Sequence, residues 1–140
     1  MVNKKDIKKI LVEMKADEKT ILFILLSSDG SINRIGDGSL KNEDSDMYIG
    51  MIKDKLFEKL IEKITQDAFQ HAGVYKSNDI KGSQCELLIL LSTDKKEIGF
   101  KFNYGSESFG PPKDICEIVR IAVNLTEDWW QAQRKMINKK

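Results

Sequence analysis

The residues best suited to chemistry lie in a short polar stretch between a predicted strand and a predicted helix. Ser106, Glu107 and Ser108 stand there between Tyr104 and Phe109, and both prolines of the chain follow. Such a junction can direct polar side chains and backbone amides at an anion or a partner. Tyr104, Ser106, Glu107, Ser108 and Phe109 are therefore candidate binding residues.

Ser108 occupies a position that looks superficially like a nucleophile elbow. That motif needs a glycine where Ser106 stands, together with a catalytic base. The only histidine, His71, falls in a different segment. The sequence thus offers no catalytic residue, which argues against an enzyme.

The stretch over residues 105–112 could instead bind an anion or a small molecule. However, Pro111 and Pro112 lack amide donors, and Asp114 adds a negative charge nearby. The pattern favours a structural turn whose serines bond their own backbone. Anion binding by this loop is kept as the alternative function.

Arg34 and Asp37 form a second candidate site beside a glycine-bearing loop. Arg34 is one of three arginines in the chain. An arginine there can clamp a carboxylate or contact a partner. It can equally pair with Asp37 or Glu107 and order the loop, and both interpretations remain open.

Trp129 and Trp130 are adjacent, so on a helix they point about 100° apart and at most one lies deep in a core. The other could contact a partner or cover the open side of a sheet. We take Trp130 as a candidate at the rim of an interface.

No cofactor or metal site is predicted. The acidic residues Asp37, Glu43, Asp44 and Asp46 lack the regular steps and terminal glutamate of a calcium loop, which favours a solvated loop.

His71, Cys85 and Cys116 lack zinc-ligand spacing. Each cysteine falls in an apolar pattern, which indicates buried free thiols in a reducing compartment. A disulfide between them is left open.

Length and composition indicate one globular domain over residues 1–140, with 41% hydrophobic and 32% charged residues. The 23 basic and 22 acidic residues argue against nucleic acid as a partner. No apolar run approaches the ~18 residues of a membrane span, and no secretory leader is visible. We expect a cytoplasmic protein without membrane contact.

Hydrophobic periodicity predicts helices, strands and loops along the chain. Helices are expected over residues 6–15, 53–64 with a further turn at 66–72, 114–125, and from Thr126 onward. Strands are expected over residues 20–26, 31–35, 84–91 and 98–104, with a short edge strand at 47–49 and loops at 36–46 and 74–83. The order α-ββ-α-ββ-α-α predicts an α+β fold: two hairpins, about four strands, in a mainly antiparallel sheet packed with helices.

Three motifs together resemble a group of small uncharacterised bacterial proteins: residues 29–36 (DGSINRIG), 104–112 (YGSESFGPP) and 125–130 (LTEDWW). The resemblance covers most of the chain and implies no catalytic residue. In size and architecture the chain also looks like small immunity proteins that neutralise toxins, by fold-level analogy.

These observations predict a non-enzymatic protein-interaction module, of which a toxin-neutralising immunity protein is one form. We expect an unidentified protein partner and a monomer or homodimer.

Overall fold

The computed structural model describes residues 3–41, 45–78 and 80–138. The strands are β1 (Ile7–Ala16), β2 (Lys19–Ser27), β3 (Ser31–Ile35), β4 (Tyr48–Met51), β5 (Gly73–Lys76), β6 (Gln84–Thr93) and β7 (Glu97–Gly105). The α-helices are α1 (Leu56–Lys63) and α2 (Lys113–Asn138), and short 3-10 helices span Lys4–Asp6 and Gln66–His71.

The strands form one mixed sheet in the order β4-β3-β2-β1-β6-β7-β5. Every neighbouring pair is antiparallel except β5 and β7, which run parallel. Helices α1 and α2 contact each other and supply core residues such as Leu60 and Ile118, which pack with sheet residues such as Ile89. The fold is therefore α+β.

The predicted hairpins are confirmed, because β2 pairs with β3 and β6 pairs with β7 in antiparallel register. The turn before β3 uses Gly30 at φ 98°, and the Ser31 amide donates to Asp29 Oδ1 over 2.9 Å. The short edge strand is present as β4. Thr65 caps the predicted extra turn, since its Oγ1 accepts from the Ala68 amide.

The first predicted element, a helix over residues 6–15, is wrong, because residues 7–15 lie in the central strand β1 and Asp6 ends the short 3-10 helix before it. Ile7 pairs with Thr93 while Lys9 pairs with Ser92, so β1 has one extra residue at this point. That bulge brings Ile7 and Ile10 into the same core at a spacing of three. The bulge thus gives the apolar residues of β1 a spacing that resembles that of a helix.

The predicted sheet of about four strands is also too small. The loop predicted over residues 74–83 contains most of β5, a four-residue strand parallel to β7. With β1, β4 and β5 the sheet has seven strands among the described residues. A four-residue strand that starts at a glycine gives little periodicity to detect.

The two helices predicted before and after Thr126 are one continuous helix, α2. Thr126 is fully buried, and its Oγ1 donates to the Ala122 carbonyl over 2.8 Å inside the helix. A threonine followed by acidic residues resembles an N-cap in sequence. Here its hydroxyl instead donates to a carbonyl of the preceding helical turn.

None of the described helices has the length and apolar surface needed to cross a bilayer. Within the predicted acidic loop, residues 42–44 lie outside the described residues.

Candidate functional site

The loop between β7 and α2 presents a fully exposed phenylalanine. Phe109 is 97% exposed, the highest value among the exposed large apolar side chains of the described residues. Exposed aromatic residues of this size are enriched at the centres of protein interfaces.

Backbone hydrogen bonds hold this loop in place. The Ser106 amide donates to the Ser83 carbonyl over 2.9 Å, and the Ser83 amide donates to Ser106 Oγ over 2.8 Å. The Glu107 amide donates to the Lys81 carbonyl over 2.9 Å. The loop is thus tied to the segment that precedes β6.

Ser108 closes the turn from inside. Its Oγ accepts from the Gly105 amide over 2.9 Å and lies 3.1 Å from the Gly105 carbonyl, to which it donates. The hydroxyls of Ser106 and Ser108 therefore serve the loop's own backbone. This is the turn interpretation that the sequence favours over anion binding.

Gly82 permits the close approach of the two segments. Its φ is +78°, and a Cβ at this position would collide with Ser106 Oγ and crowd the Glu107 side chain. Only glycine combines this backbone conformation with the absence of a side chain.

A hollow of about 250 Å³ separates the loop from strand β5. Its apolar lining includes Tyr75, Phe102, Phe109, Pro111 and Pro112. The rings of Tyr75 and Phe102 stack at 5.1 Å with an interplanar angle of 12°, which fixes the wall opposite the loop. We call the group His71, Tyr75, Phe109, Pro111 and Pro112 the Phe109 surface.

Strand β5 is at the edge of the sheet and pairs only with β7 among the described residues. Val74 is 67% exposed and Tyr75 is 44% exposed. An edge strand can accept an additional strand from another chain.

Tyr104 is partly buried, packs against the hydrophobic core and lines the hollow. Burial raises the pKa of Tyr104 to about 12, and the nearby thiols of Cys85 and Cys116 add to the rise. Tyr104 therefore contributes apolar packing at neutral pH.

The neighbourhood of the hollow holds few groups for proton transfer. His71 Nε2 lies 3.9 Å from Asp114 Oδ2, and both side chains are partly exposed. The Ser108 hydroxyl donates to Gly105 and not to His71. Among the described residues, no three His, Cys, Asp or Glu side chains are grouped so that they could hold a metal ion.

Arg34, the second predicted site, is fully buried between β3 and α2. Its Nε donates to the Gly36 carbonyl over 3.0 Å, and its Nη1 donates to Thr126 Oγ1 over 3.1 Å and to the Val123 carbonyl over 3.3 Å. The sequence left open a pairing of Arg34 with Asp37 or Glu107. Among the described residues, Arg34 instead forms its ion pair with Glu127.

Arg34 and Arg134 enclose Trp130. The two guanidinium carbons lie 4.1 Å and 4.6 Å from the ring centroid. Trp130 is 1% exposed, so it is a core residue and does not lie at a rim. Trp129 instead packs beside β4, where a Cβ on Gly50 would be 3.0 Å from its ring.

Asp37 is exposed, and its Oδ1 accepts from the Ser39 amide over 2.8 Å. It orders the start of the loop after β3, near Arg34 but without an ion pair to it among the described contacts.

The two predicted sites do not form one surface. Strand β3 is second in the sheet and β7 is sixth, and four strand spacings amount to roughly 19 Å. Arg34 is enclosed by α2, whereas Phe109 faces solvent.

The chain matches no known protein-family model and no curated protein sequence. The site must therefore be interpreted from its own geometry.

Sequence reasoning missed Tyr75 and the edge strand that carries it. The only available signal was the pair Val74–Tyr75, a β-branched and an aromatic residue inside an otherwise polar segment.

Proposed function

We propose that this protein is a non-enzymatic interaction module that binds a protein partner through the Phe109 surface. The observation that carries the proposal is the 97% exposure of Phe109 on a loop held by backbone hydrogen bonds.

The energetics favour binding at this point. Complete burial of a phenylalanine side chain contributes about 2 kcal/mol, which corresponds to roughly 30-fold in Kd. The hydrogen bonds of Ser106 and Ser108 already order the turn that precedes Phe109, which reduces the conformational entropy lost on association.

The partner that fits this geometry is an extended apolar segment of a protein. Such a segment can add to the outer edge of β5 and place one side chain in the hollow between Tyr75 and Phe109. Main-chain hydrogen bonds would provide affinity and the hollow would provide specificity.

The alternative of anion or small-molecule binding gains no support from the loop contacts. The hydroxyls of Ser106 and Ser108 are engaged with backbone groups. Arg34 is buried beside Glu127. Binding an anion would require these contacts to be broken.

A narrower form of the proposal is a toxin-neutralising role, which rests on small size and α+β architecture by analogy alone. If a partner inhibits growth on expression, co-expression of this protein should relieve the inhibition and Phe109→Ala should not.

Selection from a displayed library of linear peptides tests the proposal. We expect apolar, extended peptides to be enriched, with binding weakened roughly 30-fold by Phe109→Ala and unaffected by Met136→Ala. Met136 is a matched control because it is 64% exposed at the other end of α2.

Amide chemical shifts should locate the peptide on residues 73–76 and 104–112. A library that yields no binder, or peptides that bind the Phe109→Ala variant as well as the wild type, would refute the proposal.

A further inference from the structure

One face of the sheet carries apolar side chains that belong to no described core. Leu11, Phe23, Leu25, Leu88 and Leu90 are all partly exposed and lie outside the two core clusters. Their sequence neighbours on the same strands, such as Val12 and Ile89, point to the helix side and are buried. We call the side of these five residues the open face.

The register of the sheet aligns part of the open face into a row across six strands. This central row contains Ile49, Asn33, Leu25, Leu11, Leu90 and Gly99 as successive Cα partners. It is apolar except for Asn33.

Two further rows flank the central row, one on each side. The lower row holds successive partners with small or charged side chains: Ser27, Lys9, Ser92 and Glu97. The upper row holds larger side chains and the opposite charges: Phe23, Glu13, Leu88 and Lys101.

On each of the four strands β2, β1, β6 and β7, the two flanking residues are therefore complementary. Strand β1 carries Lys9 below and Glu13 above, and β7 carries Glu97 below and Lys101 above. Strand β2 carries the small Ser27 in the lower row and the large Phe23 in the upper row. Strand β6 likewise carries the small Ser92 in the lower row and the larger Leu88 in the upper row.

We propose that two copies of this chain associate open face to open face around a two-fold axis along the central row. That operation exchanges lower and upper rows between the copies. It places Lys9 opposite Glu13 of the second copy and Glu97 opposite Lys101 of the second copy. A surface that is complementary to itself under a two-fold rotation is what an isologous dimer requires.

The shape of the open face agrees with its charges. A hollow of about 530 Å³ lies along the lower row, with Lys9, Leu11, Leu25, Leu90, Ser92 and Glu97 in its lining. The two-fold operation brings Phe23 and Leu88 of the second copy to this hollow. Stacked sheets pack about 10 Å apart with strands within about 30° of each other, which keeps contacts near the axis aligned.

The match between the lower and upper rows favours a second copy over an unrelated partner. Binding to an unrelated protein would not require one half of the open face to complement the other half. The open face shares no residue with the Phe109 surface. The dimer proposal and the proposed function can therefore fail separately.

Charge exchange within β1 is the sharpest test. Lys9 and Glu13 are four residues apart on one strand, about 13 Å, so they cannot compensate for each other within one copy. In the dimer, Lys9 of each copy faces Glu13 of the other copy, so this contact forms twice.

The dimer Kd of the full chain should be measured by sedimentation equilibrium. Lys9→Glu or Glu13→Lys alone should raise Kd about tenfold or more, because each juxtaposes like charges. The double variant should return Kd to within about threefold of the wild type. Lys59→Glu on the exposed face of α1 is the charge control and should change nothing.

Thermal unfolding confirms that each variant is folded. A chain that stays monomeric at every concentration overturns the proposal, as does a dimer unaffected by the single exchanges or a double variant no tighter than the single ones.

Discussion

The Nη2 atom of Arg34 lies 2.9 Å from Oε2 of Glu127, although Arg34 is fully buried and the Glu127 side chain is 39% exposed. The distance is that of an ion pair, while the angles do not meet those of a hydrogen bond. Burial lowers the pKa of Arg34, and the Glu127 carboxylate opposes this change. The pair thus joins strand β3 to helix α2 and keeps a buried cation compensated.

Glu127→Ala should destabilise the protein by about 2 kcal/mol, because it leaves the buried charge of Arg34 without its counter-ion. Urea unfolding measures the change. Asp128→Ala, one residue along and exposed, is the control and should stay within about 0.5 kcal/mol. Equal effects of the two substitutions would mean that Glu127 does not compensate Arg34.

Tyr104 should make stability fall at high pH. Its pKa in the folded state is about 12, above the value near 10 of an unfolded chain. Between these values the unfolded state loses the proton first, so the stabilisation present below about pH 10 is lost as pH rises towards 12. Unfolding free energies at pH 9 and pH 11 should differ less for Tyr104→Phe than for the wild type. An unchanged difference would argue against a buried Tyr104.

Gly82→Ala should disturb the Phe109 surface without touching Phe109. The new Cβ meets Ser106 Oγ at a positive φ, so we expect a loss of about 1–2 kcal/mol in stability and weaker peptide binding. Gly38→Ala is a control for strain alone, since its φ is +85° but its nearest neighbour is 3.9 Å away. If both variants bind peptide like the wild type, the contacts of Ser106 do not position the loop.

The two cysteines should differ in reactivity. Both cysteines are free, and Cys85 is buried as the sequence predicts, but the predicted burial of Cys116 is wrong because this residue is exposed. Desolvation by the surrounding protein raises the pKa of both thiols, so neither should be unusually nucleophilic. Ellman's reagent at pH 8 should modify one thiol per folded chain quickly, and Cys116→Ser should abolish that phase. Two fast thiols would contradict the burial of Cys85.

The sequence predicted β2, β3, β6 and β7 because their apolar runs are bounded by clear turns. It failed at β1, where a bulge between Ile7 and Lys9 imitates helical spacing. It also failed at Thr126, whose side chain bonds inside α2 while its sequence context resembles a cap. Local pattern cannot show which partner a polar group finds in three dimensions.

The candidate site was only partly visible for the same reason. Phe109 could be named from its loop, but its exposure depends on packing that no local pattern encodes. The partner of Arg34 lies 93 positions later in the chain at Glu127, a distance over which sequence spacing carries no information. The rows of the open face required the register of six strands.

We expect Phe109 to contribute to partner binding and hardly at all to folding stability. Measuring both quantities in the same variants is the most direct test of the claim that the Phe109 surface binds a protein. Tagged wild type, Phe109→Ala and Met136→Ala should be purified from the source organism after cross-linking and compared by quantitative mass spectrometry. We predict one stoichiometric partner protein with the wild type and with Met136→Ala, and its loss with Phe109→Ala at an unfolding free energy within about 0.5 kcal/mol of the wild type. A partner that Phe109→Ala retains in full, or the absence of any partner, would contradict the assignment of this surface.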